Sequence, residues 1–159
     1  MGSRSKINLA YIAGFLDGDG SLMFQIKKRK DCARGIRFMA TVCFYQDTRH
    51  ERPLRWIRQT FGIGYLSHRN DGMSELRING FRQIKKILSD LLPYLRFKKI
   101  QARALAQACE ILDKTALKNL SQRQLKTLVN LISVIQNENY ITKKKKTKEE
   151  LFKILGLTL

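Results

Sequence analysis

Two neighbouring stretches of the chain alternate apolar and polar residues with a period of two, which limits the folds open to it. In SLMFQIKKR (21–29), Leu22, Phe24 and Ile26 fall on one side, and Ser21, Met23, Gln25, Lys27 and Arg29 on the other. In IRFMATVCFYQ (36–46), Ile36, Phe38, Ala40, Val42 and Phe44 alternate with Arg37, Met39, Thr41, Cys43 and Tyr45. Successive side chains of a strand point to opposite faces, so both strands have one face for a core and one face left free. The basic KRKDCARG between them reads as a long hairpin connection. GIGYLSHR and SELRIN predict a second, shorter hairpin around Asn70-Asp71-Gly72. Leu66, Leu76 and Ile78 then face inward, with Ser67, Arg69, Glu75, Arg77 and Asn79 outward. The same alternation turns His68 toward the core.

Helical patterns surround these strands. KINLAYIAGFLD (6–17) carries Leu9, Ile12, Ala13 and Leu16 as apolar positions, with Ala10, Gly14 and Gly18 as a ridge of small residues four apart. Gly18 and Gly20 are expected to end it. Thr48 and Glu51 have capping-box spacing, predicting a helix from there to about Phe61, with Pro53 in its first turn. A helix over 81–92 would stop at Pro93, followed by helices over 96–113, over 122–138 behind Ser121 and Gln124, and after Thr147 with Glu150. The order αββαββα with further helices is an α+β fold, an antiparallel sheet with helices on one face. We expect a single domain over 1–159: a core of about 6–113, then a C-terminal helical region with a basic segment over about 114–159.

Charge narrows the partner. The chain has 31 Lys+Arg against 13 Asp+Glu, a net +18. A protein so basic suits a polyanion, and nucleic acid is favoured over an acidic membrane because no single amphipathic helix concentrates the charge. No apolar run approaches the ~18 residues of a membrane span, and none sits at the N-terminus as a signal peptide would. Cys32, Cys43 and Cys109 lack CxxC spacing, which argues for reduced structural thiols, against a disulfide framework or zinc finger, and for an intracellular protein. Cytoplasm, nucleoid or organelle would depend on the host.

In this basic chain IAGFLDGDG (12–20) places two of the scarce acids, Asp17 and Asp19, between glycines. An EF-hand is excluded, since its glycine and final acid would fall on Leu22 and Lys28. The nonapeptide resembles the LAGLIDADG signature: apolar-Ala-Gly-apolar-apolar-Asp-small-Asp-Gly. LPYLRFKKIQA (92–102) is similar to the stretch that carries that family's active-site lysine. With the element order, the likeness to the single-motif, homodimeric branch of the LAGLIDADG homing endonucleases spans roughly 6–113.

The resemblance implies a saddle-shaped sheet and two motif helices packed side by side across a homodimer interface, meeting at Ala10, Gly14 and Gly18. It implies double-stranded DNA as partner, with the saddle along the major groove and cleavage across the minor groove that leaves short 3′ overhangs. It places Mg²⁺, with Mn²⁺ as a substitute, on the Asp19 carboxylate and the Gly18 carbonyl. Gln46 matches a position that orients the attacking water. Lys98 matches the basic residue beside the scissile phosphate, with Lys99 as the alternative register. Where the family often has an arginine this chain has His50, so His50, Arg49 or Arg52 takes that place. Asp17 is either structural or an outer carboxylate of the site.

Base contacts are expected from Ser21, Met23, Gln25, Lys27, Arg29, Arg37, Met39, Thr41, Tyr45, Ser67, Arg69, Arg77 and Asn79. The lysines from Lys143 and Lys144 to Lys146 suit the DNA backbone, because such a run carries charge without a base code. Two rival readings are a maturase that binds intron RNA and a DNA-binding protein without catalysis.

Overall fold

In the computed structural model, residues 5–32, 34–140 and 144–158 are described. Helix α1 (Lys6–Asp19) leads into strands β1 (Gly20–Lys28) and β2 (Ile36–Asp47). A 3₁₀ turn (Thr48–His50) and α2 (Arg52–Phe61) follow, then β3 (Tyr65–His68), β4 (Met73–Asn79) and α3 (Phe81–Leu91). The C-terminal part holds α4 (Lys99–Lys114), α5 (Gln122–Glu138) and α6 (Lys148–Leu155). The four strands form one antiparallel sheet in the order β1-β2-β4-β3.

Alternation turns into two unlike faces. Leu22, Phe24, Phe38, Val42, Phe44, Leu76 and Ile78 are buried under the helices, each 6% exposed or less. α4 and α5 extend the same core with Leu105, Ala108, Leu128 and Ile132. The opposite face is crossed by rows that the register defines: Met23–Thr41–Asn79, Ser21–Cys43–Arg77–Tyr65, and Tyr45–Glu75–Ser67.

Local signals differ from expectation at three places. Helix α1 runs through Gly18 to Asp19 before Gly20 starts β1 directly. A Cβ at Gly20 would lie 2.8 Å from the Leu16 carbonyl oxygen and 2.9 Å from its Cα, so this sharp passage needs glycine. The capping boxes at Ser121/Gln124 and Thr147/Glu150 both form, but Thr48/Glu51 does not. Thr48 enters a 3₁₀ turn, and Glu51 becomes the N-cap of α2 without a side-chain cap bond. Its carboxylate instead takes Arg55 (2.6 Å), the Ser74 hydroxyl (2.9 Å) and His68 Nε2 (2.6 Å). His68 is therefore exposed at the end of β3 rather than in the core.

That network makes acid stability testable. Arg55, then His68 and Ser74, hold the Glu51 carboxyl down at about 2. Lys114, then Lys85, do the same for Glu110. Folded values below the ordinary 4.5 give stabilisation that is complete above pH 4.5 and lost as pH falls toward 2. Urea midpoints should stay flat from neutral pH down to about 5 and then drop. Glu51→Gln should give a shallower acid limb, and an unchanged limb would remove Glu51 from this role.

Candidate active site and nucleic-acid interface

The C-terminal end of α1 collects the chemistry. A helix end leaves carbonyls without intrahelical partners and carries partial negative charge, so it attracts cations. One such carbonyl, that of Asp17, accepts the Lys98 ammonium at 2.5 Å. The Asp17 carboxylate reaches the same loop: Oδ2 accepts the Arg96 amide at 2.7 Å and Oδ1 the Lys98 amide at 2.9 Å. Asp17 thus staples the 92–98 turn onto α1. This is why α4 begins at Lys99 rather than at 96. Replacing Asp17 by Ala should cost about 1–3 kcal/mol, since a charged acceptor serves two backbone donors. The amides of Arg96 and Lys98 should lose hydrogen-exchange protection in step. Unchanged exchange there would assign the staple to other contacts.

Lys98 is only 8% exposed. Burial pushes its ammonium below the usual lysine value, against the pull of the Asp17 and Asp19 carboxylates. Asp19, two residues on from Asp17, is exposed, and its carboxylate accepts no hydrogen bond from the described residues. Gln46 lies at the end of β2. The β1–β2 register, with Gly20 opposite Phe44, carries it past the first residue of β1, on the flank where α1 ends. Its Oε1 accepts the Asp47 amide at 2.8 Å, which leaves the NH₂ group as donor.

The three candidates for the neighbouring cation separate. Arg49 is held by Asp47 through Nε (3.0 Å) and Nη2 (2.8 Å), and this pairing keeps Asp47 well below the usual carboxylate range. Arg52 lines a surface groove with Ile7, Asn8, Tyr11, Pro53 and Trp56, toward the other end of α1. His50 is exposed at the end of the 3₁₀ turn and makes no side-chain hydrogen bond among the described residues.

The free face of the sheet is polar, but its residues are not equivalent. Lys27 and Arg37 are exposed and face each other across β1 and β2, and Gln25, Met39 and then Met23 follow along the same face, half-buried. Thr41 is 1% exposed and donates to the Asn79 side chain at 2.7 Å, so it supports Asn79 instead of presenting its own hydroxyl. Ser21 and Tyr45 bond each other at 2.9 Å. Arg29 lies beyond β1, paired with Asp31, and Arg69 lies in the hairpin turn, paired with Asp71. Arg77 and Ser67 both engage Glu75. Lys144 is exposed ahead of α6, while Lys143 lies outside the described residues.

The outer face of α1 is open. Ala10, Gly14 and Gly18 are exposed, and a Cβ added at Gly14 or Gly18 would meet nothing within 4 Å. Nothing among the described residues of the chain therefore demands glycine at these two positions. Ile7 is 81% and Tyr11 58% exposed beside them, and Tyr11 stands edge-on to Trp56 at 5.8 Å between ring centroids. Beyond α1, Phe97 is 76% exposed although it adjoins buried Lys98. Trp56 is marked by no motif, and Phe97, although inside the 92–102 stretch, is signalled only as a large apolar residue left outside the core pattern.

A four-stranded antiparallel sheet with a basic free face, a carboxylate that accepts no hydrogen bond from the described residues and a buried lysine at the foot of an open, small-residue helix are the features expected of a nuclease. Residues 12–112 match the LAGLIDADG endonuclease family. DNA endonuclease I-CvuI of Chlorella vulgaris is 34% identical over 112 residues, 70% of each chain. DNA endonuclease I-CreI of Chlamydomonas reinhardtii is 29% identical over 106 residues, 67% of this chain and 64% of that one. The crystal structure of homing endonuclease I-CvuI with the I-CreI target and Mg superposes with a TM-score of 0.84 at 28% identity, over 95% of this chain and 94% of that one. The chain belongs to the LAGLIDADG endonuclease family.

Proposed function

We propose that two copies of this chain form a homodimer that cuts both strands of a long, nearly palindromic DNA site by metal-dependent phosphodiester hydrolysis. The observation that carries this is the meeting of opposite charges at the end of α1: Asp19 is exposed and accepts no hydrogen bond from the described residues, while Lys98 is buried, held on the Asp17 carbonyl and within the field of Asp19. A carboxylate that accepts no hydrogen bond from the described residues, in a chain of net charge +18, is suited to a cation rather than to the fold.

Hard oxygen donors, the Asp19 carboxylate and the Gly18 carbonyl, fit Mg²⁺ or Mn²⁺, which take one or two carboxylates together with waters and phosphate oxygens. Among the described residues no three metal-ligating side chains cluster, so one chain offers part of a ligand set and a second Asp19 across the dyad would extend it. When bound, the ion supplies charge stabilisation at the phosphoryl oxygens and a nucleophile at neutral pH. The protein's own groups do the rest. Lys98 sets a positive charge beside the phosphate, its ammonium fixed by the Asp17 carbonyl and its backbone by the Asp17 carboxylate. Gln46 offers a fixed amide donor for orienting water. His50, which unlike Arg49 is not held by a carboxylate among the described residues and unlike Arg52 does not line the groove toward the other end of α1, supplies a donor to phosphate. Lys27, Arg37 and Lys144 hold the DNA backbone, with Met23, Gln25 and Met39 turned to base edges.

The test is incubation of the purified chain with a plasmid target library, with and without Mg²⁺. Linearisation of a subset only with the metal is expected. Specific duplex binding without linearisation in Mg²⁺ or Mn²⁺ would overturn the enzymatic reading, and a monomer on the DNA would overturn the paired-helix one.

A further inference from the structure

Glu75 is a carboxylate inside the free sheet face, flanked by paired strands on both sides where Asp47 sits at a strand end, and it is 8% exposed. The β-register surrounds it: Tyr45 and Ser67 lie opposite it on the flanking strands, and Arg77 is two residues along on the same face. Its Oε1 accepts Arg77 Nε at 3.0 Å and the Ser67 hydroxyl at 3.4 Å; Oε2 accepts Arg77 Nη2 at 3.5 Å and the Cys43 thiol at 3.9 Å. A carboxylate so enclosed cannot itself reach a base in the groove.

Its grip on Arg77 is directional. Nε and Nη2 form the side-on edge of a guanidinium, and their use leaves the end-on fork of Nη1 and Nη2 unspent. The Arg77 side chain keeps 31% of its surface exposed against 11% for Glu75, so the arginine is the member of the pair that solvent or a ligand can reach. An end-on fork matches guanine O6 and N7 in the major groove. Relying on the DNA-facing reading of this sheet, we infer that Glu75 is a positioning residue that presents Arg77 to one guanine in each half-site. Glu75 thereby sets specificity without touching DNA. Locking the guanidinium removes rotamer freedom that a solvated arginine would lose on binding, and it biases Arg77 against contacting phosphate.

The test is selection from a duplex library randomised across both half-sites, bound by the full chain in Ca²⁺ and sequenced. The wild type should enrich guanine about 10- to 100-fold at one position, repeated symmetrically in the two half-sites. Arg77→Ala should abolish that enrichment and leave the other positions intact. Arg77→Lys should retain overall affinity but lose most of the preference, because a point charge lacks the fork. Glu75→Gln should relax the same position to within about threefold and no other. A merely structural role for Glu75 would instead weaken all positions together or lower the melting temperature without moving the profile, and either result overturns the inference. So does a guanine preference that survives Glu75→Gln, or one independent of Arg77. Absence of any sequence enrichment by the wild type would overturn the underlying DNA reading as well, which separates the two failures.

Discussion

Asp19→Asn should leave a folded, dimeric, DNA-binding protein that no longer cuts. The exchange is isosteric, and the Asp19 carboxylate accepts no hydrogen bond from the described residues, so the fold loses little. Removing negative charge from a helix C-terminus should even stabilise slightly, by about 0.3–1 kcal/mol. Binding without divalent metal should tighten, because the dimer sheds two negative charges that face phosphate. Cleavage should fall by about three orders of magnitude or more, on the scale of the several kcal/mol a bound cation contributes to a transition state. Single-turnover cleavage, measured beside filter binding and thermal melting, checks all three. Cleavage within about tenfold of wild type would move the metal elsewhere. A matching loss of melting temperature would make Asp19 structural.

Much of this arrangement is legible in the sequence because it is local. Strict alternation in 21–29 and 36–46 is enough to assign Leu22 to Lys27 of β1 and Ile36 to Tyr45 of β2 to their faces. The motif identifies Asp19 by position alone. Asp17 could not be assigned in the same way. The amides it binds lie 79 and 81 residues away, and no pattern around 17 announces them. Glu75 and Arg77 are visible as outward residues, but not as partners. Whether two side chains on one strand meet depends on rotamers, and on the Ser67 and Cys43 groups that enclose them from other strands.

Two failures have a common cause, competition for one carboxylate. T-x-x-E spacing suits a capping box at 48–51, yet Glu51 finds an arginine, a histidine and a hydroxyl brought from α2, β3 and β4. Charge-assisted bonds outweigh a neutral N-cap bond. The chain gives up the box, and His68 stays out at the surface to meet Glu51. Gly18 shows the reverse effect. As a helix breaker it should end α1 early, yet the helix continues to Asp19, and it is Gly20 whose Cα cannot carry a Cβ.

Gly14→Leu separates what the monomer needs from what the dimer needs. Within one chain the substitution should be favourable, because a Cβ at Gly14 meets nothing within 4 Å. Leucine also exceeds glycine in helix propensity by nearly 1 kcal/mol. An isolated α1 surface should therefore accept it, and monomer melting should stay level or rise. In the proposed dimer the same side chain would hold two backbones apart where Ala10, Gly14 and Gly18 would otherwise let them meet. Light scattering should show the variant as a monomer at micromolar concentrations where the wild type is a dimer. Double-strand cleavage should fall at least about 100-fold, because a lone chain cannot bring two Asp19 carboxylates to one dyad. Gly14→Ala should fall between the two. A variant that still dimerises and cuts would exclude this helix face as the junction. One that cuts as a monomer would show that a single chain completes the site. Stabilised monomer and lost activity together are hard to obtain from any role of Gly14 within one chain, because such a role would make the leucine costly to fold.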